Sequence, residues 1–326
     1  MKVTVFGAGA IGGHLAARLA LSGTPVSVVA RGAHLAAIQS NGITLQAGGQ
    51  TFRCSVTATD DPASLGTQDL VIVTVKRSGL PRALESISLL LGRHTRVLVA
   101  MNGLPWWFGD ALAASHAAVL KRLLDPDGAL AALLPADQLI WGMVIAGGEI
   151  LAPGVIFNST PTINSLDIGY PDGHTDHAIA VAAELLNRAG FRTVVTGDIR
   201  HKIWLKLLLN AGQAMVATVT ERTALQTVSD PETRTVVVAV MNEILAIGRA
   251  IGVDIEADPL AMTDPAKSAA HRSSFLQDLK AGRPLELSTT ILALRDIARA
   301  LGIAAPHLTT VAAIVAARSA DGAHKA

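Results

Sequence analysis

The sequence predicts an α/β protein: a doubly wound, parallel sheet in the N-terminal part, followed by an all-helical C-terminal domain. Three observations carry this. A glycine turn separates a strand-like from a helix-like run within the first 21 residues. Strand-like and helix-like runs then alternate to about residue 196, which is how a parallel sheet is covered on both faces. Past Gly197-Asp198 the texture changes to long runs at helical spacing, with little that resembles a strand.

The first element is Lys2-Val3-Thr4-Val5-Phe6, short and apolar. Gly7-Ala8-Gly9-Ala10-Ile11-Gly12 follows and opens the amphipathic run Ile11 to Leu21. Strand, glycine turn and helix in this order make a Rossmann-type start. The first glycine permits the tight turn, the second lets backbone approach a pyrophosphate, and the third lets helix and strand pack closely. The helix N-terminus adds free N–H groups and a positive dipole end. Gly7, Ala8, Gly9, Ala10, Ile11 and Gly12 are therefore candidate dinucleotide-binding residues, the bland alternative being a ligand-free βα turn.

Pro25 to Ala30 reads as the second strand. An NAD site places an Asp or Glu near its end, to accept from the ribose 2′-hydroxyl. Here stands Arg31, followed by Gly32. A guanidinium suits a 2′-phosphate and cannot act as that acceptor, so NADP(H) is the expected cofactor. The alternative is a solvated arginine. Asp69 to Val75 is continuously apolar, as in a strand buried on both faces. A helix over 79–91, a strand over Thr95 to Ala100 and β-like pieces at 139–146, 154–159 and 162–168 follow. A helix over about 175–189 ends at Gly190, before a short strand at 192–196. Helices are expected at 199–217, with Asp198 as its N-cap, and at 232–251, 271–281 and 288–301. The domains expected are thus 1–197, binding NADP, and 198–326, a helical part for substrate and dimerisation. Ser319 to Ala326 reads as a frayed end. Ligands are expected in a cleft outside the carboxyl ends of the parallel strands.

Composition narrows the function classes. The chain of 326 residues is half hydrophobic but only 3% aromatic, so Ala, Leu, Val and Ile must build its core. Its net charge of +1, without runs of like charge, argues against nucleic acid or membrane surfaces as partners. A single cysteine, Cys54, excludes an internal disulfide framework and fits a reducing cytosol, as a small apolar core residue. His14 and Arg18 interrupt the N-terminal apolar run, which lacks the cationic start of a signal peptide. No apolar run reads as a membrane span. The ten histidines show no paired ligand spacing, so no metal site is expected, and neither a GxSxG elbow nor a P-loop is present.

Lys76 and Asn102 each follow an expected sheet strand, on the loops that face a cofactor in such folds; a solvated edge lysine and an ordinary Asn-Gly turn are the alternatives. Lys206 and Asn210 stand four residues apart in Trp204-Leu-Lys-Leu-Leu-Leu-Asn210 and share a helix face. The lysine, in apolar surroundings, either snorkels to solvent or faces a ligand. Ser274 and Asp278 likewise share a face, and Glu286 follows Gly282-Arg283-Pro284 near a helix start, where an acid also suits the helix dipole.

These residues, in this order, resemble the ketopantoate reductases (2-dehydropantoate 2-reductases), a family dependent on NADPH. Gly7-x-Gly9-Ala10-Ile11-Gly12 resembles its GxGAxG, and Ala30-Arg31-Gly32 its NADP-selecting arginine. Thr74-Val75-Lys76, Met101-Asn102-Gly103 and Trp204-x-Lys206-x-x-x-Asn210 are similar to further motifs. So are Ser273-Ser274-x-Leu276-Gln277-Asp278 with Arg283 and Glu286, and Gly302-Ile303-x-x-Pro306. The lack of a signal-peptide pattern and of a span predicts the cytoplasm as compartment. The resemblance implies reduction of 2-dehydropantoate to pantoate, a step of pantothenate biosynthesis. It implies Lys206 as general acid, and Asn102, Asn210 and Ser274 as substrate-binding residues. It implies Lys76 as a cofactor contact and ties Glu286 to the cofactor's ribose and the polarity of the active site. The family usually carries a second asparagine where this chain has Ala214, beside Gln213. It also tends to follow its glutamate with Ile-Asp, where Leu287-Ser288 stand here. Trp106 and Trp107 put two rings after Asn102-Gly103, as a substrate wall or as simple packing. Reduction of another 2-oxo acid, opine-type reductive amination and a non-catalytic NADP(H) sensor are the competing expectations.

Overall fold

Short runs of apolar, mostly β-branched residues become the strands of the first unit. β1 (Val3–Phe6), β2 (Val26–Val29), β6 (Leu70–Val73) and β7 (Arg96–Val99) are almost wholly buried. Between them lie β3 (Ile43–Ala47), β4 (Gln50–Cys54) and β5 (Thr57–Thr59). After them come β8 (Leu139–Ile145), β9 (Glu149–Ala152), β10 (Val155–Asn158) and β11 (Ser165–Gly169). The computed structural model describes residues 1–323. The chain forms two compact units: Met1–Met101 with Ala129–Ile199, and Asn102–Gly128 with the chain from Arg200 on. Residues 102–128, counted with the cofactor domain in the expected division, thus pack with the helical unit. The reason is local: Leu104 N–H donates to the Thr289 carbonyl (2.7 Å), and the Ala114–Leu124 helix packs on the Ile291–Ala300 helix.

The first unit holds a seven-stranded sheet in the order β11-β8-β7-β6-β1-β2-β5. All neighbours pair in parallel except β11, which runs antiparallel to β8. The strand expected at 192–196 is reduced to two isolated bridges, Ser165–Arg192 and Ile168–Val195. A second, four-stranded sheet, β4-β3-β10-β9, is absent from the sequence expectation. Its β3–β4 hairpin turns at Gly48-Gly49, both at positive φ, as a two-residue hairpin loop requires.

Helix α1 (Ala10–Leu21) packs on both sheets, touching β1 and β2 on one side and β3 and β10 on the other. That explains its composition: a helix covered on two faces has little use for a polar stripe, and Leu15, Ala16, Ala17 and Leu19 are all fully buried. Helix α2 (Gly32–Asn41) follows β2 and packs near β5. Cys54 lies buried at the end of β4.

The second unit is helical. Its long apolar helix runs Ile199–Thr220 and is α-helical at both ends, with a π-helical stretch at Leu208–Gln213. By length and composition this helix passes as a membrane span, contrary to expectation, but 56% of its most apolar window is buried inside the protein, as for a core helix. Pro231–Ala250, Ser274–Lys280, Ile291–Ala300 and Pro306–Ala323 pack around it or on one another. The last helix includes Ser319–Ala323, which the sequence leaves frayed; residues 324–326 lie outside the described chain.

Candidate functional site

The register of the first sheet lines up its candidate residues. Phe6 pairs with Val29 on one side and Val73 on the other, and Val73 pairs with Val99. The residues that follow, Gly7, Ala30, Thr74 and Ala100, therefore leave the sheet at one level of its carboxyl edge. Arg31 and Lys76 lie one and two positions beyond, both exposed, Arg31 as the extended residue before α2. Neighbouring strands lie about 4.8 Å apart, so the glycine loop, Arg31 and Lys76 sit within reach of one extended ligand.

The loop itself is packed so tightly on the end of β6 and on its own first residue that two of its positions leave no space for a Cβ. Gly7 has φ +102, and a Cβ there would lie 2.8 Å from Val75 Cγ1. A Cβ on Gly12 would run into the Gly7 carbonyl and the Thr74 hydroxyl. Both positions must be glycine, one for backbone conformation and one for space. Thr74 Oγ1 donates to the Gly7 carbonyl (2.6 Å) and braces the turn from below. This residue was not singled out by sequence reasoning; a hydroxyl directly after a buried strand was the available signal. The donors at Gly9–Gly12 and the start of α1 fit a phosphate pair.

The second unit carries the other candidate residues. Lys206 and Asn210 lie on the long helix, Asn210 inside its π-helical stretch. Such stretches recur at functional sites, because the widened turn re-aims side chains. Lys206 is half-buried by surface, yet its ammonium is largely stripped of water. Burial pulls its pKa from 10.5 down to about 8, and the Glu286 carboxylate pulls in the opposite direction. Glu286 lies in the turn before the Ile291–Ala300 helix, where Thr290 Oγ1 donates to its carbonyl (2.7 Å). The expected helix start near 288 falls instead at Ile291, so Glu286 is a loop residue. Three residues on, Thr289 accepts from Leu104 N–H, and Gly103, at φ +87, lies so close to it that a Cβ would clash. Asn102 is thereby held beside the Glu286 turn. Ser274 is exposed at the start of the Ser274–Lys280 helix, whose cap is its neighbour Ser273, accepting from Leu276 N–H (3.2 Å). That helix packs on Ala214–Thr220, the continuation of the Lys206 helix.

A lysine with lowered pKa, acted on by a carboxylate, can protonate an oxygen that gains negative charge. Comparison with known proteins finds matches to both parts of the chain. A family model described as ketopantoate reductase PanE/ApbA matches residues 3–173, and one described as ketopantoate reductase PanE/ApbA C terminal matches residues 198–319. The chain belongs to the ketopantoate reductase family. A curated 2-dehydropantoate 2-reductase from Mesorhizobium japonicum is 37% identical over 97% of each chain. A solved structure of a candidate ketopantoate reductase from Ralstonia solanacearum MolK2 is 34% identical, with a TM-score of 0.89 over 98% of both chains. D-mandelate dehydrogenase, solved with NADH and anilino(oxo)acetate, aligns with a TM-score of 0.83 over 99% of both chains, but at 19% identity that likeness shows the fold alone.

Two features of this chain bear on the expectations for its substrate side. Gln213 does not supply the amide that Ala214 lacks: it is buried, and its Nε2 donates to the Ala224 carbonyl (3.3 Å). Trp106 and Trp107 are buried as well. Trp107 lies under the Arg200 guanidinium at 5.1 Å, and Phe108 stacks on Trp204 at 5.6 Å between ring centres. Trp107 and Phe108 thus pack against the start of the Lys206 helix.

Proposed function

We propose that this ketopantoate reductase family member reduces a 2-oxo acid to the 2-hydroxy acid with NADPH, 2-dehydropantoate to pantoate being the expected reaction. The lowered pKa of Lys206 carries this reading. An ammonium that titrates near 8 is acidic enough to give up a proton, yet is still charged at neutral pH.

The residues of the first unit fit the cofactor, because a Cβ on Gly9 would meet nothing within 4 Å and the free N–H groups at the start of α1 suit a ligand's phosphates. Gly7–Gly12 would hold the pyrophosphate, Arg31 the 2′-phosphate, and Lys76 an outer part of the same molecule. NADPH, when bound, supplies the hydride that adds to the keto carbon. Lys206 then gives its proton to the carbonyl oxygen as that oxygen becomes an alkoxide, and the neutral amine regains a proton from solvent. Glu286 favours the charged form of Lys206 beforehand, and the family resemblance assigns it a part in holding the cofactor's ribose. Asn102 and Asn210 donate to the substrate's polar oxygens, and Ser274 accepts the role of carboxylate partner. The helical unit is proposed as the substrate-binding and dimer-forming part, and the cytosol as the compartment.

One observation favours a second reading within the same chemistry. Ala214 presents a methyl where the family usually places an amide, and Gln213 is engaged elsewhere. A 2-oxo acid with a bulkier, more apolar substituent than ketopantoate would suit that wall. NADPH oxidation followed across a panel of 2-oxo acids, with and without amino acids, tests both readings. Turnover of ketopantoate above the others supports the first, and preference for a bulkier oxo acid supports the second. Binding of NADPH without turnover of any of them would overturn both.

A further inference from the structure

We propose that His34 is a positioning residue for the cofactor, joining the helix that begins after Arg31 to the glycine loop. This rests on the reading that NADPH binds to the first unit. His34 lies in the first turn of α2, three residues past Arg31, and is half-buried. Its Nδ1 accepts a hydrogen bond from the Gly154 backbone N–H (3.0 Å), and its Nε2 lies 2.7 Å from the Ala8 carbonyl oxygen. A backbone N–H can only donate, so Nδ1 is the bare nitrogen. The proton of the neutral ring is then on Nε2 and is donated to Ala8. One imidazole thus spans three elements: α2, the glycine loop and the turn between β9 and β10.

The place of the loop bond gives it consequence. The Ala8 carbonyl and the Gly9 N–H belong to one planar peptide unit and point in opposite directions. Holding the carbonyl therefore fixes where the Gly9 N–H aims, and this is among the donors that face a phosphate in such a loop. The same side chain anchors the first turn of α2, and with it Arg31. His34 sets the spacing between the element that meets the pyrophosphate and the element that meets the 2′-phosphate. The platform beneath is firm, since a Cβ on Gly13 of α1 would lie 2.8 Å from Ile156 of β10. The β9–β10 turn is thus tied to the loop through α1 as well as through His34.

The test compares His34→Phe and His34→Gln with the parent chain. Glutamine can offer an acceptor and a donor about as far apart as the two ring nitrogens, whereas phenylalanine keeps only the ring volume. NADPH binding is titrated directly, and amide hydrogen exchange over residues 8–13 is measured without cofactor. Loss of two positioned hydrogen bonds should weaken NADPH by about tenfold in H34F. Exchange at Gly9–Gly13 should quicken in the free protein, kcat at saturating NADPH should stay within about twofold, and H34Q should recover most of the affinity. Affinity within about twofold of the parent in H34F would overturn the proposal. So would a loss accompanied by faster exchange throughout the unit and no rescue by glutamine, the pattern of general loosening. If H34F does not fold, His34→Asn, which can keep one of the two bonds, takes its place under the same criteria. A parent chain that binds no NADPH would instead overturn the cofactor reading on which this rests.

Discussion

At the scale of single residues, the chemistry turns on Lys206 and the selectivity on Arg31. Only the ammonium form of Lys206 can give a proton, so kcat/KM should fall as pH rises through about 8. Glu286 raises that pKa, so Glu286→Gln should move the falling limb to lower pH. A limb near the ordinary lysine value of 10.5, or one unmoved by E286Q, would remove Lys206 from the role of acid. Lys206→Ala should lower kcat by roughly 10²–10⁴, the range for losing a general acid, in single-turnover kinetics with NADPH saturating. Arg31 stands exposed at the carboxyl edge of the sheet, where an acidic residue would read the ribose of NAD. Arg31→Ala should weaken NADPH by about 1.5–3 kcal/mol and leave NADH nearly unchanged, as measured by titration of each. Equal losses for both would assign the phosphate to another group. Arg31 and the glycines were legible in the sequence because their meaning is local. Thr74 and His34 were not, since their partners are backbone atoms far away in the chain.

At the scale of elements, two helices decide how the sites are held. The Ile199–Thr220 helix reads from its sequence as uniform, but its middle is π-helical, and no spacing of apolar residues announces that. The Pro231–Ala250 helix approaches its first turns closely at Gly248, where a Cβ would lie 2.7 Å from Trp204 Nε1 and 2.8 Å from the Val253 carbonyl. Trp204 is fully buried and cannot retreat. Gly248→Ala should therefore cost about 1–3 kcal/mol, read as a lower urea midpoint at unchanged slope. Trp204 lies two residues before Lys206, so the same variant should also lower kcat/KM. In the first unit, the four-stranded sheet escaped the sequence reading although Ile43-Thr-Leu-Gln-Ala47 alternates and Gly48-Gly49 marks a hairpin. Two of its strands lie more than 90 residues further along the chain, and such pairing is set by contacts that local patterns do not contain.

At the scale of the whole molecule, burial on both faces of α1 leaves a titratable group inside the first unit. His14 is fully buried, between Asn158 (3.3 Å) and the ring of Phe191 (5.1 Å). Burial first, and Arg18 second, pull its pKa from 6.5 to about 4. Between those values the unfolded chain binds more protons than the folded one, so stability falls as pH drops from about 6.5 towards 4 and is restored above it. The difference is worth about 3 kcal/mol. Chemical denaturation at a series of pH values should show that slope, and His14→Leu should flatten it; an unchanged slope would place the acid sensitivity elsewhere. From its order of residues alone the chain determined a Rossmann-type start, a preference for NADP and a helical second half, because turn chemistry, strand burial and helix spacing are short-range properties. The three-dimensional fold alone decided that residues 102–128 join the helical unit, that Glu286 bears on Lys206, and that a second sheet covers α1. Those outcomes depend on which surfaces bury one another and exclude water, and residues distant in the chain settle that together.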